Sequence, residues 1–514
     1  MGIIKRQGLK SSIVNYFGAG LGAFFFLIVF PNIINESYLG LVQMLLSITL
    51  VFSQLAVMGT PNVLFKYYEK WKDKGATDNY NSFSLIVILV GFVLFSIIFL
   101  LFKEQIISLY AKRSALFVKY YWVVLPLIFI QALTYYLEVY SMMQLRVTVP
   151  AFLREIVNRS LLIFILFLLA YNMIAEPLFI WLYLFIYILS LGVLLFYAIR
   201  FFNFRFGNAK EFLKDNTDLK EQKHYGRNAL ALNVLGGAQN FIDSLILPVL
   251  MGLGALGIYS RPLILGQMIH IPYRSIANIA SPIFMEAWTN NDVKKIEDLN
   301  KKLSINLLLI GLFLFALIVV NADNFFSLLP TQYAEAKNVL YIIAFGRLLD
   351  MSFGLNSEIL FSSKYYRWVV YFTAIILVIT IGFNILLIPI YGMDGAALAV
   401  TLALVLFNIT KQVFIYRKFH FHCFSRAYIS LILISIVAIG STLFVPAFTS
   451  EYLNQLFSTP IASVLLNTCI QSFIVLVLLA VPILYFKISP DLNDFMKLVV
   501  SGKIFKGGHK MEEL

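Results

Sequence analysis

A few ionisable side chains fall inside long apolar stretches: Glu138, Asp243, Arg261, His270, Arg274, Arg347, Asp350 and Glu358. A charge surrounded by hydrocarbon is costly, so each needs a partner or a task. Asp243 and Arg261 lie on either side of a turn, in the stretches 228–250 and 256–285. At the helical rise both sit roughly 7–10 Å below one surface of a bilayer. They could neutralise each other across the hairpin. Alternatively, Arg261 could present its planar guanidinium to an anion, and phosphate suits that fork well. Arg274 lies thirteen residues further on. It either snorkels to the headgroups or supplies a second cation. Arg347 and Asp350 are spaced i,i+3 and can neutralise one another, with Glu358 two turns beyond Asp350. Glu138 has no obvious local partner, which makes it the best proton-relay candidate. Arg154, Glu155 and Arg159 read as interfacial anchors, and His270 as a core residue.

What is missing narrows the chemistry. There is no GxxxxGK[ST] phosphate loop, no HExxH and no paired-acid loop motif, so neither ATP hydrolysis nor metalloprotease chemistry is expected. Cys423 and Cys469 give no disulfide framework and no CxxC metal spacing. No catalytic residue, metal or cofactor is assigned, and the chain is not expected to be an enzyme.

The elements that hold these residues are membrane spans. Of 514 residues, 60% are hydrophobic and 13% are charged, with a mean hydropathy of +0.84. A soluble domain carries about 25% charged residues, so a soluble enzyme is excluded. Apolar stretches of 18 or more residues recur, each long enough to cross a bilayer. Breaks in hydropathy give fourteen: 11–33, 38–65, 83–102, 117–143, 151–171, 178–200, 228–250, 256–285, 303–322, 334–361, 367–389, 394–416, 427–446 and 462–486. The N-terminus runs into the first without a cleavage site, so that stretch reads as a retained span.

The net charge of +13 could suggest nucleic acid, but no soluble basic module exists. Instead 32 of the 40 Lys and Arg lie on the side of the N-terminus, five lie opposite and three lie within spans. That asymmetry places both termini in the cytoplasm. No external loop exceeds about 17 residues, which argues against a glycan polymerase or ligase with an external catalytic domain. The expected fold class is therefore an all-α polytopic membrane protein.

A weak internal repeat organises the spans. Leu39-Gly40-Leu41 opens span two and Leu256-Gly257-Ile258 opens span eight, each followed by a late proline, Pro61 and Pro282. The six-span lag suggests two six-helix lobes in one orientation, an architecture common among transporters. The expected divisions are a first lobe over 1–202, a cytoplasmic linker over 203–227, a second lobe over 228–418, and spans thirteen and fourteen with a cytoplasmic tail over 419–514.

Four passages bring a known family into view. Ser37-Tyr38-Leu39-Gly40 through Met58-Gly59-Thr60-Pro61 resembles its second span. Asp243 through Gly257-Ile258-Tyr259-Ser260 resembles its seven/eight hairpin, and Tyr333-Ala334-Glu335-Ala336 through Arg347 the start of its tenth span. Most specific is Ile388-Pro389-Ile390-Tyr391-Gly392-Met393-Asp394-Gly395-Ala396-Ala397, similar to its IP-x-x-G-x-x-GAA turn. The chain thus resembles the multidrug/oligosaccharidyl-lipid/polysaccharide flippase superfamily, within it the Wzx-like polysaccharide-transporter branch, over residues 10–480. The same passages also serve packing and turn geometry: Gly395-Ala396-Ala397 permits close helix approach.

The resemblance implies a V-shaped pair of lobes that alternate access and carry a polyprenyl-diphosphate-linked oligosaccharide to the outer leaflet of a bacterial inner membrane, for lipopolysaccharide O-antigen or other surface polysaccharide. On that reading Arg261, Arg274 and Arg347 hold the phosphates. In related lipid II flippases an arginine in the corresponding part of span eight lines the cavity, which favours Arg261. Asp243, Glu138, Asp350, Glu358 and Asn384 are charge-relay or ion-coupling candidates. Some relatives hold a coupling cation between spans seven, eleven and twelve, where Asp243, Asn384 and Thr401 are the nearest matches. The expected partners are the lipid-linked substrate, membrane lipids and polysaccharide-assembly proteins, with no nucleic acid and a monomeric state. The competing reading is a cation-coupled multidrug-type antiporter.

Overall fold

The computed structural model describes residues 14, 17–18, 20–202, 204–215, 218–422, 426–442 and 460–485. Cys423 and the tail 487–514 lie outside the described residues. Among those described, all regular structure is helical. In hydrocarbon a helix satisfies its own backbone, so this is what the composition demands.

In chain order the main helices are α1 Gly20–Ile33, α2 Glu36–Val57, α3 Thr60–Asp73, α4 Thr77–Leu101, α5 Tyr121–Met143, α6 Asn158–Ala170, α7 Glu176–Phe202 and α8 Leu219–Leu250. There follow α9 Leu253–Gln267, α10 Ile271–Thr289, α11 Val293–Val320, α12 Lys337–Ser352, α13 Asn356–Ser362, α14 Tyr366–Phe419, α15 Arg426–Thr442 and α16 Pro460–Tyr485. They fold as two compact units. One takes Met1–Arg261 with Thr373–Ala399, and the other Pro262–Phe372 with Val400–Leu514.

Each of the fourteen apolar stretches contains helix, but they differ in continuity. Among the described residues eight helices are long and apolar enough to cross a membrane: α2, α4, α5, α7, α8, α11, α14 and α16. The segment Thr331–Ser352 and α13, bent by 47° between them, would make a ninth. α14 holds stretches eleven and twelve as two helical arms, joined where Gly392 takes φ 59° and ψ −133°. A Cβ on Gly395 would stand 2.2 Å from the Leu387 carbonyl oxygen, so this turn admits only glycine there. The remaining stretches are shorter or interrupted. A π-helical turn at Leu153–Val157 precedes α6, and a 3-10 turn at Met268–His270 separates α9 from α10.

In the first unit α2 is the interior helix: 67% of its apolar window is buried, against 28% for α4. α2 packs against α4, α5 and α8. α4 leaves Ile86, Val90, Val93, Leu94, Ile97 and Leu101 exposed, the surface expected to meet lipid. The Asn35 side chain caps α2 by accepting from the Ser37 amide at 2.8 Å.

The two glycines of the sequence repeat meet in a reciprocal crossing. A Cβ on Gly40 would lie 1.9 Å from the Leu253 carbonyl oxygen, and one on Gly257 would lie 2.0 Å from that of Glu36. The start of α2 and α9 therefore touch backbone to backbone, an approach that small residues alone permit.

Three expected boundaries move. Span two was read to residue 65, but α2 stops at Val57, where Met58 and Gly59 turn left-handed and α3 begins at Thr60. The Gly226 carbonyl oxygen would be 2.2 Å from a Cβ on Gly59, so the chain turns where the backbone of α8 passes. The segment 203–227, read as a linker, is helical over Ala209–Asp215, and α8 starts at Leu219. Phe212 of that short helix packs edge-on to Trp71 and Tyr80. Thirdly, α14 runs to Phe419, past residue 416.

The second unit is built around Phe284, Leu307, Met351, Leu355, Ile359 and Ile415. α11, α15 and α16 close a second apolar cluster through Leu308, Leu312, Leu431, Val475 and Leu479. Beside it, amides bridge α16 to a short helix at Ala322–Ser327. Asn467 donates to Asn324 Oδ1 at 3.0 Å, Asn324 donates to Gln471 Oε1 at 2.8 Å, and Asn321 donates to Ser472 Oγ at 3.2 Å.

Candidate functional site

Breaks in two neighbouring helical rods set up a polar cluster in the second unit. The 3-10 turn at Met268–His270 puts His270 at the end of α9 and Tyr273 and Arg274 in the first turn of α10. The other break, between α12 and α13, turns at Gly354 with φ 66°. A Cβ there would stand 2.0 Å from Ser304 Oγ, while Asn300 Oδ1 accepts from the Leu355 amide at 3.3 Å. This break separates Arg347 and Asp350 from Ser357 and Glu358.

Asp350 is the centre of the cluster. Its Oδ2 lies 2.9 Å from His270 Nε2 and 3.9 Å from Arg347 Nη1, and its Oδ1 accepts from Asn408 Nδ2 at 2.7 Å. Glu358 accepts from the Tyr273 hydroxyl at 2.8 Å, and the Tyr273 ring stacks on His270 with centroids 4.3 Å apart. Lys411, 3% exposed, donates to Ser357 Oγ at 2.8 Å and rests 4.0 Å above the Phe407 ring. It also lies within the fields of Asp350 and Glu358. Next to it Asn356 donates to Gln412 Oε1 at 3.0 Å. Buried charges need such partners, because an unmatched one is strongly destabilising.

Arg274 differs from these. It is exposed, no carboxylate pairs with it among the described residues, and the like charge of Arg347 acts on it. Two guanidiniums of one unit thus share a neighbourhood with Arg274 unmatched, which is what an anion site requires.

The other sequence candidates lie in the first unit. Asp243 is buried and accepts from Tyr259 at 2.7 Å and from the Ser244 amide at 2.8 Å. Arg261, 2% exposed, donates to Ser260 Oγ at 3.0 and 3.2 Å and to the Phe26 carbonyl oxygen. Asn384 is fully buried and donates to the Thr380 carbonyl oxygen at 2.8 Å, leaving its own Oδ1 without a hydrogen bond. Thr401 belongs to the second unit, where its hydroxyl donates to the Ile342 carbonyl oxygen at 3.1 Å.

Glu138 corrects the expectation that it lacks a local partner. Arg154 reaches it at 3.2 Å and Glu155 at 3.0 Å, Arg159 pairs with Glu155 at 2.6 Å, and Arg159 also donates to the Gly18 carbonyl oxygen at 2.7 Å. The residues read as interfacial anchors and the residue read as a lone acid form one chain of charges. The π-helical turn at Leu153–Val157 carries Arg154 and Glu155 in that chain.

Reading the sequence missed Lys411, Tyr273 and Asn408. Lys411 was assigned to a cytoplasmic loop because hydropathy falls after residue 410. The available signal was helical spacing: Asn408, Lys411 and Gln412 fall on one face, and the apolar Val413-Phe414-Ile415 follows them.

Over residues 5–288 the sequence matches the family described as polysaccharide biosynthesis protein. The chain belongs to that family. Members of the polysaccharide biosynthesis family can thus be compared by fold with two solved transporters. The lipid II flippase MurJ, in its inward closed conformation, aligns with a TM-score of 0.67 at 17% identity, covering 92% of this chain and 98% of its own. An inward-facing multidrug resistance MATE family transporter of the MOP superfamily aligns with a TM-score of 0.63 at 14% identity, covering 78% and 94%. At these identities the likeness is one of fold. No curated protein matches the chain.

Proposed function

We propose that this protein is a flippase that carries a polyprenyl-diphosphate-linked oligosaccharide from the cytoplasmic to the outer leaflet of a bacterial inner membrane, for surface polysaccharide such as O-antigen. The observation that carries the reading is Arg274, exposed beside Arg347 in a chain of the polysaccharide biosynthesis family. A diphosphate would be held by these guanidiniums, bidentate where geometry allows, while the polyprenol stays in lipid. Arg261 is a third cation in the proposal, released from Ser260 and the Phe26 carbonyl when the anion arrives.

In this reading the chain crosses the membrane fourteen times, as two six-helix lobes plus two further helices, with both termini cytoplasmic. The 32-to-5 division of basic residues supports that orientation. It works as a monomer by alternating access, catalyses no reaction, and meets the polysaccharide-assembly proteins through its substrate.

The fold of the MATE transporter favours a second reading, a cation-coupled small-molecule antiporter. Deleting the gene and measuring lipid-linked glycan on each face of the membrane separates the two. A flippase requires build-up on the cytoplasmic face, relieved by the intact gene and not by Arg274→Ala. Unchanged glycan with altered drug sensitivity would establish the antiporter.

A further inference from the structure

We propose that His270, Asp350, Glu358 and Lys411 form a proton-binding site inside the second unit, and that this site couples a proton gradient to the transport proposed above, on which this role rests. The geometry has three features that a merely structural salt bridge does not need. First, the site is made at two helix breaks, the 3-10 turn at Met268–His270 and the left-handed Gly354, so its charges sit where helices can change direction. Secondly, it is assembled from four helices, α9, α12, α13 and α14, with Tyr273 of α10 bridging Glu358 to the His270 ring. Thirdly, its charges balance only while one proton is absent. The carboxylates Asp350 and Glu358 face two fixed cations, Arg347 and Lys411.

His270 is the side chain of this group whose free imidazole titrates near neutrality, with an unperturbed value of about 6.5. A proton arriving at the His270–Asp350 contact adds a positive charge to a balanced set. It competes with Arg347 and Lys411 for the same carboxylates, and Lys411 is then held by Ser357 and Glu358 alone. The titratable and charged groups facing the site are His270, Tyr273 and Arg274 from the α9–α10 rod, Arg347 and Asp350 from α12, Glu358 from α13 and Lys411 from α14. α11 contributes Asn300 and Ser304 at the break, and nothing titratable beyond Lys302. Lys411 also fills with its own ammonium the space between carboxylates that a metal cation would otherwise take.

The test uses the full chain in lipid nanodiscs with 15N-labelled histidine. The sequence has five histidines, and His270→Gln assigns the resonance of interest. His270 should titrate between pH 5 and 9, with its midpoint displaced by a pH unit or more in Asp350→Asn and also displaced in Lys411→Gln, while the other histidines keep theirs. No titration in that range, or a midpoint indifferent to both substitutions, overturns the site. Coupling is read separately in cells. Collapsing the pH gradient with nigericin should lower outer-face lipid-linked glycan several-fold in wild type, and His270→Gln, expressed at the same level, should be low with or without it. Undiminished outer-face glycan in His270→Gln overturns the coupling. If deletion of the gene leaves the glycan unmoved, the transport reading fails while the histidine titration still decides the site.

Discussion

The crossing of α2 and α9 offers the sharpest test of the packing. In Gly40→Ala the new Cβ would start 1.9 Å from the Leu253 carbonyl oxygen, where ordinary contact begins at 3.4 Å. Both sides of that contact are backbone, so no side chain can swing away, and the helices must part by about 1.5 Å. Overpacking of this kind costs about 3 kcal/mol, the upper end of the usual range. At a few degrees per kcal/mol, that lowers the apparent Tm by about 5 °C. Gly257→Ala meets the Glu36 carbonyl oxygen at 2.0 Å and should behave alike. Once the first methyl has separated the helices, the second finds space already made. The double variant should therefore lose at least 1 kcal/mol less than the two losses added, a coupling of the ordinary size for neighbours. Gly236→Ala is the control, because nothing lies within 4 Å of its Cβ, and removing a helical glycine should stabilise by about 0.5–1 kcal/mol. The assay is thermal unfolding of purified protein in detergent, followed by size-exclusion chromatography. If Gly40→Ala melts with wild type, or if the two losses simply add, the reciprocal backbone contact is refuted.

Other expectations follow from the charges and amides. Arg274→Ala should leave the protein folded, since no carboxylate loses a partner, while outer-face glycan falls tenfold or more; retained export would remove Arg274 from the anion site. Arg154→Ala should destabilise by about 3 kcal/mol by leaving Glu138 buried beside Glu155, and adding Glu138→Gln should restore most of the loss in a thermal melt. Asn324→Leu, which strands the amides of Asn467 and Gln471, should cost about 2 kcal/mol by the same measurement. In a background with the native cysteines replaced, Ser108→Cys should react with an impermeant thiol reagent from outside the cell and Asn290→Cys should not; the opposite pattern would reverse the proposed orientation.

Which parts of this could be read from residues alone follows from what each signal measures. Hydropathy finds segments that avoid water, so α4 and α7 were placed within a few residues of their ends. It is blind to backbone interruptions, since Met58, His270 and Gly354 change direction without changing polarity. The glycines of the repeat were visible as pattern, while their use as contact points needed coordinates. Arg347 and Asp350 were legible because i,i+3 neighbours must meet on a helix. The Asp350 contacts with His270 and Asn408 join residues 80 and 58 apart in the chain, beyond the reach of local spacing. Lys411 was misplaced for a physical reason: a composition window counts its charge, whereas the fold surrounds it with carboxylates and an aromatic ring.

The amide bridge at α16 bears on how the chain is made. α16 is the last of the described helices to leave the ribosome, and it carries Asn467 and Gln471, each 4% exposed or less. Entering lipid alone, those amides would face hydrocarbon with donors and acceptors unmet. Their partner, Asn324, is synthesised some 140 residues earlier and is already in place. Synthesis order thus supplies a template before the polar helix that needs it, and release of α16 into the bilayer becomes a docking event as much as a partitioning one. Shifting Asn324 along its helix would then delay maturation of the nascent protein before any function could be assayed.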